Sequence, residues 1–163
     1  MTKKKAVFLD RDGVINKERK DYVKTKDELE IFSNVHECIK KIKQGDFLAV
    51  VITNQSAINR GLSSHQNIQE IHDEIQKYLK SNGTSIDNFF YCPHRPDEKC
   101  YCRKPNPGLI FEAAKKLNID LSKSWMIGDK DTDVKAAKLA GCVGIKIDEN
   151  FLLDNAIERI LKI

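Results

Sequence analysis

Short apolar runs alternate with amphipathic stretches along this chain. Ala6-Val7-Phe8-Leu9 is apolar at every position, as a strand buried on both faces of a parallel sheet must be. Phe47 to Ile52 is the strongest run of this kind, and Phe89-Phe90-Tyr91, Trp125-Met126-Ile127 and Val143 to Ile147 are shorter ones. Between them, apolar residues fall at helical spacing: Val35, Cys38, Ile39 and Ile42, then Ile68, Ile71, Ile75 and Leu79. Ser63 and Gln66 have capping-box spacing ahead of that second helix. Leu109, Ala113 and Leu117 mark a third helix, entered through Pro107. Val134, Ala137 and Leu139 mark a fourth, and Leu153, Ile157, Ile160 and Leu161 a fifth. Strands alternating with helices predict βαβ units, an α/β fold and a parallel sheet flanked by helices.

In such a sheet the ligand site lies beyond the carboxyl ends of the strands. Asp10 and Asp12 follow the first strand, Thr53 and Asn54 the second, and Asp129 the strand at 125–127, so all should project from one edge. Asp10 and Asp12 stand one residue apart and repel each other. A divalent cation offsets that repulsion, and hard oxygen ligands suit Mg²⁺. Gly13 permits the turn away from the strand. Gly128-Asp129-Lys130-Asp131-Thr132-Asp133 repeats the acidic pattern at a second strand end. Lys104, between Arg103 and Pro105, is a fixed ammonium of the kind a transferring phosphoryl group needs.

Composition narrows the classes. The 163 residues, 40% hydrophobic and 32% charged, can form a core and are not disordered as a whole. They read as a single domain over 1–163. No apolar run is long enough to span a membrane, and the opening Met-Thr-Lys-Lys-Lys leads into a strand with no cleavage signal, so a cytoplasmic protein is expected. The net charge of +4 fits an anionic substrate but is too scattered to predict nucleic-acid binding. A monomer is expected. Five cysteines in a cytosolic chain read as metal ligands or buried thiols. Cys92-x-His94 and Cys100-x-Cys102 put a Cys₃His set inside the loop 92–102, a closed tetrahedral set that suits structural zinc. Such a zinc would anchor the loop carrying Lys104. Cys38 and Cys142 read as core thiols. His36, His65 and His72 lie on or beside predicted helices and are expected at surface or boundary positions.

The order Asp-x-Asp-Gly, strand-Thr-Asn, Lys-Pro and Gly-Asp-Lys-x-x-x-Asp resembles the haloacid dehalogenase (HAD) superfamily of phosphatases. Asp10 to Asn16, Thr53-Asn54-Gln55-Ser56, Cys92-Pro93-His94, Cys102-Arg103-Lys104-Pro105 and Gly128-Asp129-Lys130 resemble one branch of it. That branch holds the heptose 1,7-bisphosphate phosphatases and the histidinol-phosphate phosphatases. The resemblance implies a Rossmann-like HAD core. It implies that Asp10 is a nucleophile forming an aspartyl-phosphate, and that Asp12 is the general acid and then the base. Mg²⁺ would be held by Asp10, Asp129 and the Asp12 carbonyl. Thr53 and Lys104 would bind the phosphoryl oxygens, and Asp133 would orient Lys104 or the metal shell. The resemblance also implies zinc at the Cys₃His set. Many relatives carry a cap domain, and no interval here has room for one, so the site should be open.

Substrate recognition then falls to loops: the segment 17–22, with Arg19 and Tyr22, together with Asn54, Ser56, Arg103 and Lys130. Arg19 or Lys20 could hold a second phosphate, or Glu18 a cationic amine. The Thr53–Ser56 and Lys104–Gly108 stretches resemble the heptose enzymes; the five-residue spacer between His94 and Cys100 resembles the histidinol-phosphate enzymes, and the tail after the last strand is shorter than usual for the heptose enzymes. A small phosphorylated substrate is expected, a heptose bisphosphate or related sugar phosphate first and histidinol phosphate second. A polynucleotide 3′-phosphatase and a zinc-stapled nucleic-acid-binding module are the remaining readings.

Overall fold

The computed structural model describes residues 2–162. Five strands, β1 (Lys5–Leu9), β2 (Phe47–Asn54), β3 (Asn88–Cys92), β4 (Trp125–Gly128) and β5 (Val143–Lys146), form one sheet in the order β3-β2-β1-β4-β5. Every neighbouring pair is parallel. Five helices connect and follow them: α1 (Val35–Gln44), α2 (His65–Ser81), α3 (Gly108–Leu117), α4 (Asp131–Ala140) and α5 (Leu153–Leu161).

Alternation along the strands sends Val7, Leu9, Ala49 and Val51 to one face of the sheet, where α1, α2 and α5 pack. Ala6, Phe8, Val50 and Ile52 face the other way, onto α3 and α4. This two-sided burial is why β1 and β2 read as unbroken apolar runs. On α2, Ile68, Ile71, Ile75 and Leu79 are all fully buried. At roughly 1.5–3 kcal/mol per side chain they contribute on the order of 6–12 kcal/mol before conformational entropy is subtracted. That burial fixes α2, and with it His72, against the sheet.

Local details differ from the sequence pattern. Thr53 and Asn54 are the last residues of β2, not the first after it. The α2 cap is Ser64, whose side chain accepts from the Asn67 N–H, because the Ser63 hydroxyl donates instead to the Lys24 carbonyl. Leu139 and Leu161 are exposed, and α4 buries Asp133, Ala136, Ala137 and Ala140. Asp133 turns inward to hold a lysine, and that rotates the whole helix face. Between β1 and α1 the chain forms a loop with one 3₁₀ turn at Lys26–Glu28. Between β2 and β3 lies α2. Among the described residues no cap domain covers the carboxyl edge of the sheet.

Candidate active site

The strand order reverses at β1, which has β2 on one side and β4 on the other; this is where open α/β sheets hold ligands. Asp10 follows β1 and is buried, its N–H bonded to the Ile127 carbonyl of β4 at 3.0 Å. Its Oδ1 accepts from the Arg11 N–H at 2.8 Å and faces Lys104 Nζ at 3.0 Å. Lys104 is buried too. Its ammonium donates to Asp133 Oδ1 at 2.6 Å and to the Ile52 carbonyl at 2.8 Å. Three partners match the three N–H groups of an ammonium. Burial disfavours the charge on Lys104, but Asp10 and Asp133 outweigh it and raise its pKa. Burial pushes Asp10 up to about 6, against the pull of Lys104. Asp133 spends its other oxygen on the Lys130 N–H at the start of α4. It ties Lys104 to a helix end.

Asp12 sits in different surroundings. Its Oδ1 accepts from Arg11 Nη2 at 3.0 Å and Asn16 Nδ2 at 2.9 Å, and its Oδ2 accepts from Gln55 Nε2 at 2.9 Å. Burial pushes its pKa up, yet the Arg11 guanidinium and these donors hold it below the usual carboxylate range. Gln55 Nε2 also donates to Thr53 Oγ1 at 3.0 Å, and Thr53 is fully buried. Asn54 clamps the backbone of Lys104 from both sides, Oδ1 accepting its N–H at 3.0 Å and Nδ2 donating to its carbonyl at 3.2 Å. Arg11, Asn16 and Gln55 were not singled out in the sequence as site residues. His72 departs from expectation: it is 2% exposed, not at the surface, and its Nε2 meets Arg11 Nη1 at 3.3 Å. His36 and His65 lie toward the surface, bonded to Tyr78 and Tyr91 hydroxyls.

The fourth acid of the site is Asp129, just after β4. Burial raises its pKa against the pull of Lys130. Its Oδ1 is buried with no hydrogen-bond partner, a costly state for a carboxylate oxygen unless a cation is bound. Carboxylate oxygens of Asp10, Asp129 and Asp133 lie within 4.8 Å of one another. This hard-oxygen set with an orphaned acceptor fits Mg²⁺. Glycines leave room for it. At Gly13, φ is +88° and a Cβ would fall on the Asp129 carboxylate; at Gly128 it would fall on that of Asp133.

Over these acids lies an open cavity lined by Asp10, Asp12, Tyr22, Asn54, Ser56, Arg60, Arg103, Lys104 and Lys130. Its cations differ in availability. Lys130 is paired with Glu18 at 2.6 Å. Arg103 donates to the His94 carbonyl, and Arg60 Nε to Ser56 Oγ. Among the described residues neither guanidinium has a carboxylate in ion-pair range. Arg19 stands apart, bound to Asp21 and Glu28 in an adjoining hollow with Lys20 and Tyr22. Arg60 gave no signal in the sequence; the turn after β2 brings it in.

The loop 92–102 gathers its four ligands. Cys92 Sγ lies 3.2 Å from His94 Nδ1, 3.7 Å from Cys100 Sγ and 3.1 Å from Cys102 Sγ, and His94 Nδ1 is 3.2 Å from Cys102 Sγ. Zinc–ligand bonds of about 2.0–2.3 Å span tetrahedron edges of roughly 3.5–3.8 Å; the Cys92–Cys100 distance falls in that range and the other three are shorter, so the four atoms are gathered closely enough for one ion to sit among them after a small outward shift. Slight burial opposes the thiolate of Cys100, but the Arg103 N–H and the neighbouring thiols bring it down to about 7. Cys92 ends β3 and Cys102 precedes Arg103 and Lys104, so the cluster ties a strand end to the lysine loop. Cys38 and Cys142 are buried, as expected of core thiols.

Comparison with known proteins agrees with this arrangement. The HAD-hydrolase-like family model matches residues 101–153. The D-glycero-beta-D-manno-heptose-1,7-bisphosphate 7-phosphatase of Helicobacter pylori is 42% identical, over 94% of this chain and 85% of that protein. A D-glycero-alpha-D-manno-heptose-1,7-bisphosphate 7-phosphatase of Photorhabdus laumondii is 39% identical, over 98% and 96%. The crystal structure of the D,D-heptose 1,7-bisphosphate phosphatase of B. bronchiseptica, complexed with magnesium and phosphate, superposes with a TM-score of 0.88 at 32% identity, covering 97% of this chain and 98% of that one. The acids at the switch point, the buried lysine and these likenesses lead to one assignment: the chain belongs to the haloacid dehalogenase family of phosphatases, in the branch that includes the heptose bisphosphate phosphatases.

Proposed function

We propose that this phosphatase removes the C7 phosphate of D-glycero-D-manno-heptose 1,7-bisphosphate. The observation that carries the choice of substrate is the pair of guanidiniums, Arg60 and Arg103, that line the cavity over Asp10 without carboxylate partners. A bisphosphate brings a second anion to meet them. Histidinol phosphate brings an ammonium, and Glu18, the acid that would receive it, is already paired with Lys130.

Asp10 is the nucleophile. Its carboxylate attacks phosphorus, and the bond to the sugar oxygen breaks to leave an aspartyl-phosphate. Asp12 gives its proton to the departing oxygen, then takes one from the water that hydrolyses the intermediate. Lys104 and Thr53 meet the phosphoryl oxygens, where the transition state spreads its charge. Asp10, Asp129 and the Asp12 carbonyl would hold Mg²⁺, which when bound would supply the positive charge that lets the Asp10 carboxylate approach a phosphate. Asp133 keeps Lys104 in place, and Asn54 and Ser56 border the substrate with Tyr22 and Lys130. Cys92, His94, Cys100 and Cys102 would hold a structural zinc. Thiolate ligands suit a reducing compartment, in keeping with the cytosol, and the enzyme is proposed to act as a monomer.

The test is a comparison of kcat/KM, with Mg²⁺ present, on the two anomers of heptose 1,7-bisphosphate, histidinol phosphate and a 3′-phosphorylated oligonucleotide. One heptose anomer should lead by at least tenfold. A tenfold lead for histidinol phosphate or the oligonucleotide would overturn the choice of substrate and leave the phosphatase assignment intact.

A further inference from the structure

We propose that His72, on α2, is a positioning residue that acts through Arg11 to aim the Asp12 carboxylate at the leaving oxygen. The proposal rests on the acid–base reading of Asp12.

Arg11 is 0% exposed. A guanidinium taken out of water is costly unless its donors find acceptors. Two of its nitrogens face Asp12, Nε at 3.3 Å and Nη2 at 3.0 Å from Oδ1. The third, Nη1, meets His72 Nε2 at 3.3 Å. A guanidinium only donates, so Nε2 must accept, and the ring is neutral with its proton on Nδ1. Burial and the adjacent Arg11 charge agree, pushing the His72 pKa down to about 3.

The ring is held in turn. It stacks on Phe89, with centroids 4.5 Å apart and planes 16° apart, and meets Tyr91 edge-on at 5.9 Å. Both aromatics belong to β3. A continuous series of contacts therefore runs from β3 through His72 and Arg11 to the carboxylate that handles the proton. Asn16 and Gln55 also bond Asp12, but from its own loop and from the end of β2. Only the Arg11–His72 arm reaches α2. Without an acceptor on Nη1, the fork of Arg11 is free to turn away from Asp12. The loss should fall on proton transfer and spare phosphate binding.

Leaving-group dependence reads this directly. p-Nitrophenolate, with a pKa of ~7, departs without a proton, whereas an alkoxide needs one. His72→Leu should lower kcat/KM on an alkyl phosphate at least tenfold more than on p-nitrophenyl phosphate. His72→Gln, whose side-chain oxygen can accept from Nη1, should bring that ratio back to within about threefold of wild type. The ratio is taken within one preparation, so it does not depend on the folded fraction. If His72→Leu yields no soluble protein, His72→Asn, with its amide too short to reach Nη1, decides in its place. Asp12→Asn is the control. If Asp12→Asn raises leaving-group sensitivity and the His72 variants do not, this proposal is wrong and the reading of Asp12 stands. If Asp12→Asn slows both substrates equally, the acid–base reading itself fails, and this proposal with it.

Discussion

Asp10 and Asp12 are neighbours but one segment and two environments apart in behaviour. Burial lifts Asp10 to about 6, while Arg11, Asn16 and Gln55 hold Asp12 below its ordinary range. In the proposed mechanism Asp12 must carry a proton when the leaving oxygen departs, so the donors around it would set the pH at which it can. Removing one donor destabilises the carboxylate and raises its pKa. A hydrogen bond to a charged group is worth about 1.5–3 kcal/mol, or roughly one to two pH units. Gln55→Leu should therefore move the basic limb of the kcat profile to higher pH by about one unit; a profile that stays in place or moves down contradicts this account of Asp12. On the cavity lining, Arg103→Ala should lower kcat/KM on the bisphosphate roughly 10–100-fold, the scale of a charge-assisted hydrogen bond, with a smaller effect on p-nitrophenyl phosphate. Equal losses on both would deny Arg103 a role with the second phosphate. Of these residues, Asp10, Asp12 and Arg103 were legible from their motifs, but Gln55 was not, because its role depends on which way the end of β2 turns its side chain.

The Cys₃His loop and α2 show how elements deliver those residues. Cys92 closes β3, and Cys102 is followed at once by Arg103 and Lys104, so a metal here fixes the lysine loop to the sheet. Binding energy at such a site becomes folding energy. Purified protein should hold about one zinc per chain by elemental analysis. Cys100→Ser should lose that zinc and melt at a lower temperature; zinc-free wild-type protein that never met a chelator would refute the site. The Cys-x-His and Cys-x-Cys spacing was readable because ligand chemistry is local. The place of His72 was also written in the periodicity, since 68, 72, 75 and 79 share one helical face, but a histidine there reads as a boundary residue until its acceptor role toward Arg11 is seen. α4 and the burial of Ala137 were readable, but the place of Leu139 was not. Val134 and Leu139 are apolar, yet the buried face is the one through Asp133, Ala136, Ala137 and Ala140, because a buried lysine needs Asp133 more than the core needs Leu139.

Across the whole molecule, the parallel sheet brings residues from β1, β2 and β4 and from two loops to one edge, and no cap domain closes over it among the described residues. The sheet was legible because both its faces are buried and its strands are therefore apolar throughout. The convergence of Asp10, Thr53 and Asp129 was legible only through the rule for strand ends, the pairing of Lys104 with Asp133 only through the family resemblance, and the sorting of the cavity's cations into paired and unpaired was not legible at all, since it depends on contacts between distant segments such as Glu18 and Lys130. An open cavity with spare guanidiniums should choose a substrate with two anions and cut at the phosphate that reaches Asp10. Phosphorus-31 NMR of heptose 1,7-bisphosphate turned over with Mg²⁺ tests this most directly. Loss of the C7 phosphate signal, growth of inorganic phosphate and retention of the C1 phosphate are expected; release of the C1 phosphate first, or of neither, would overturn the proposed function.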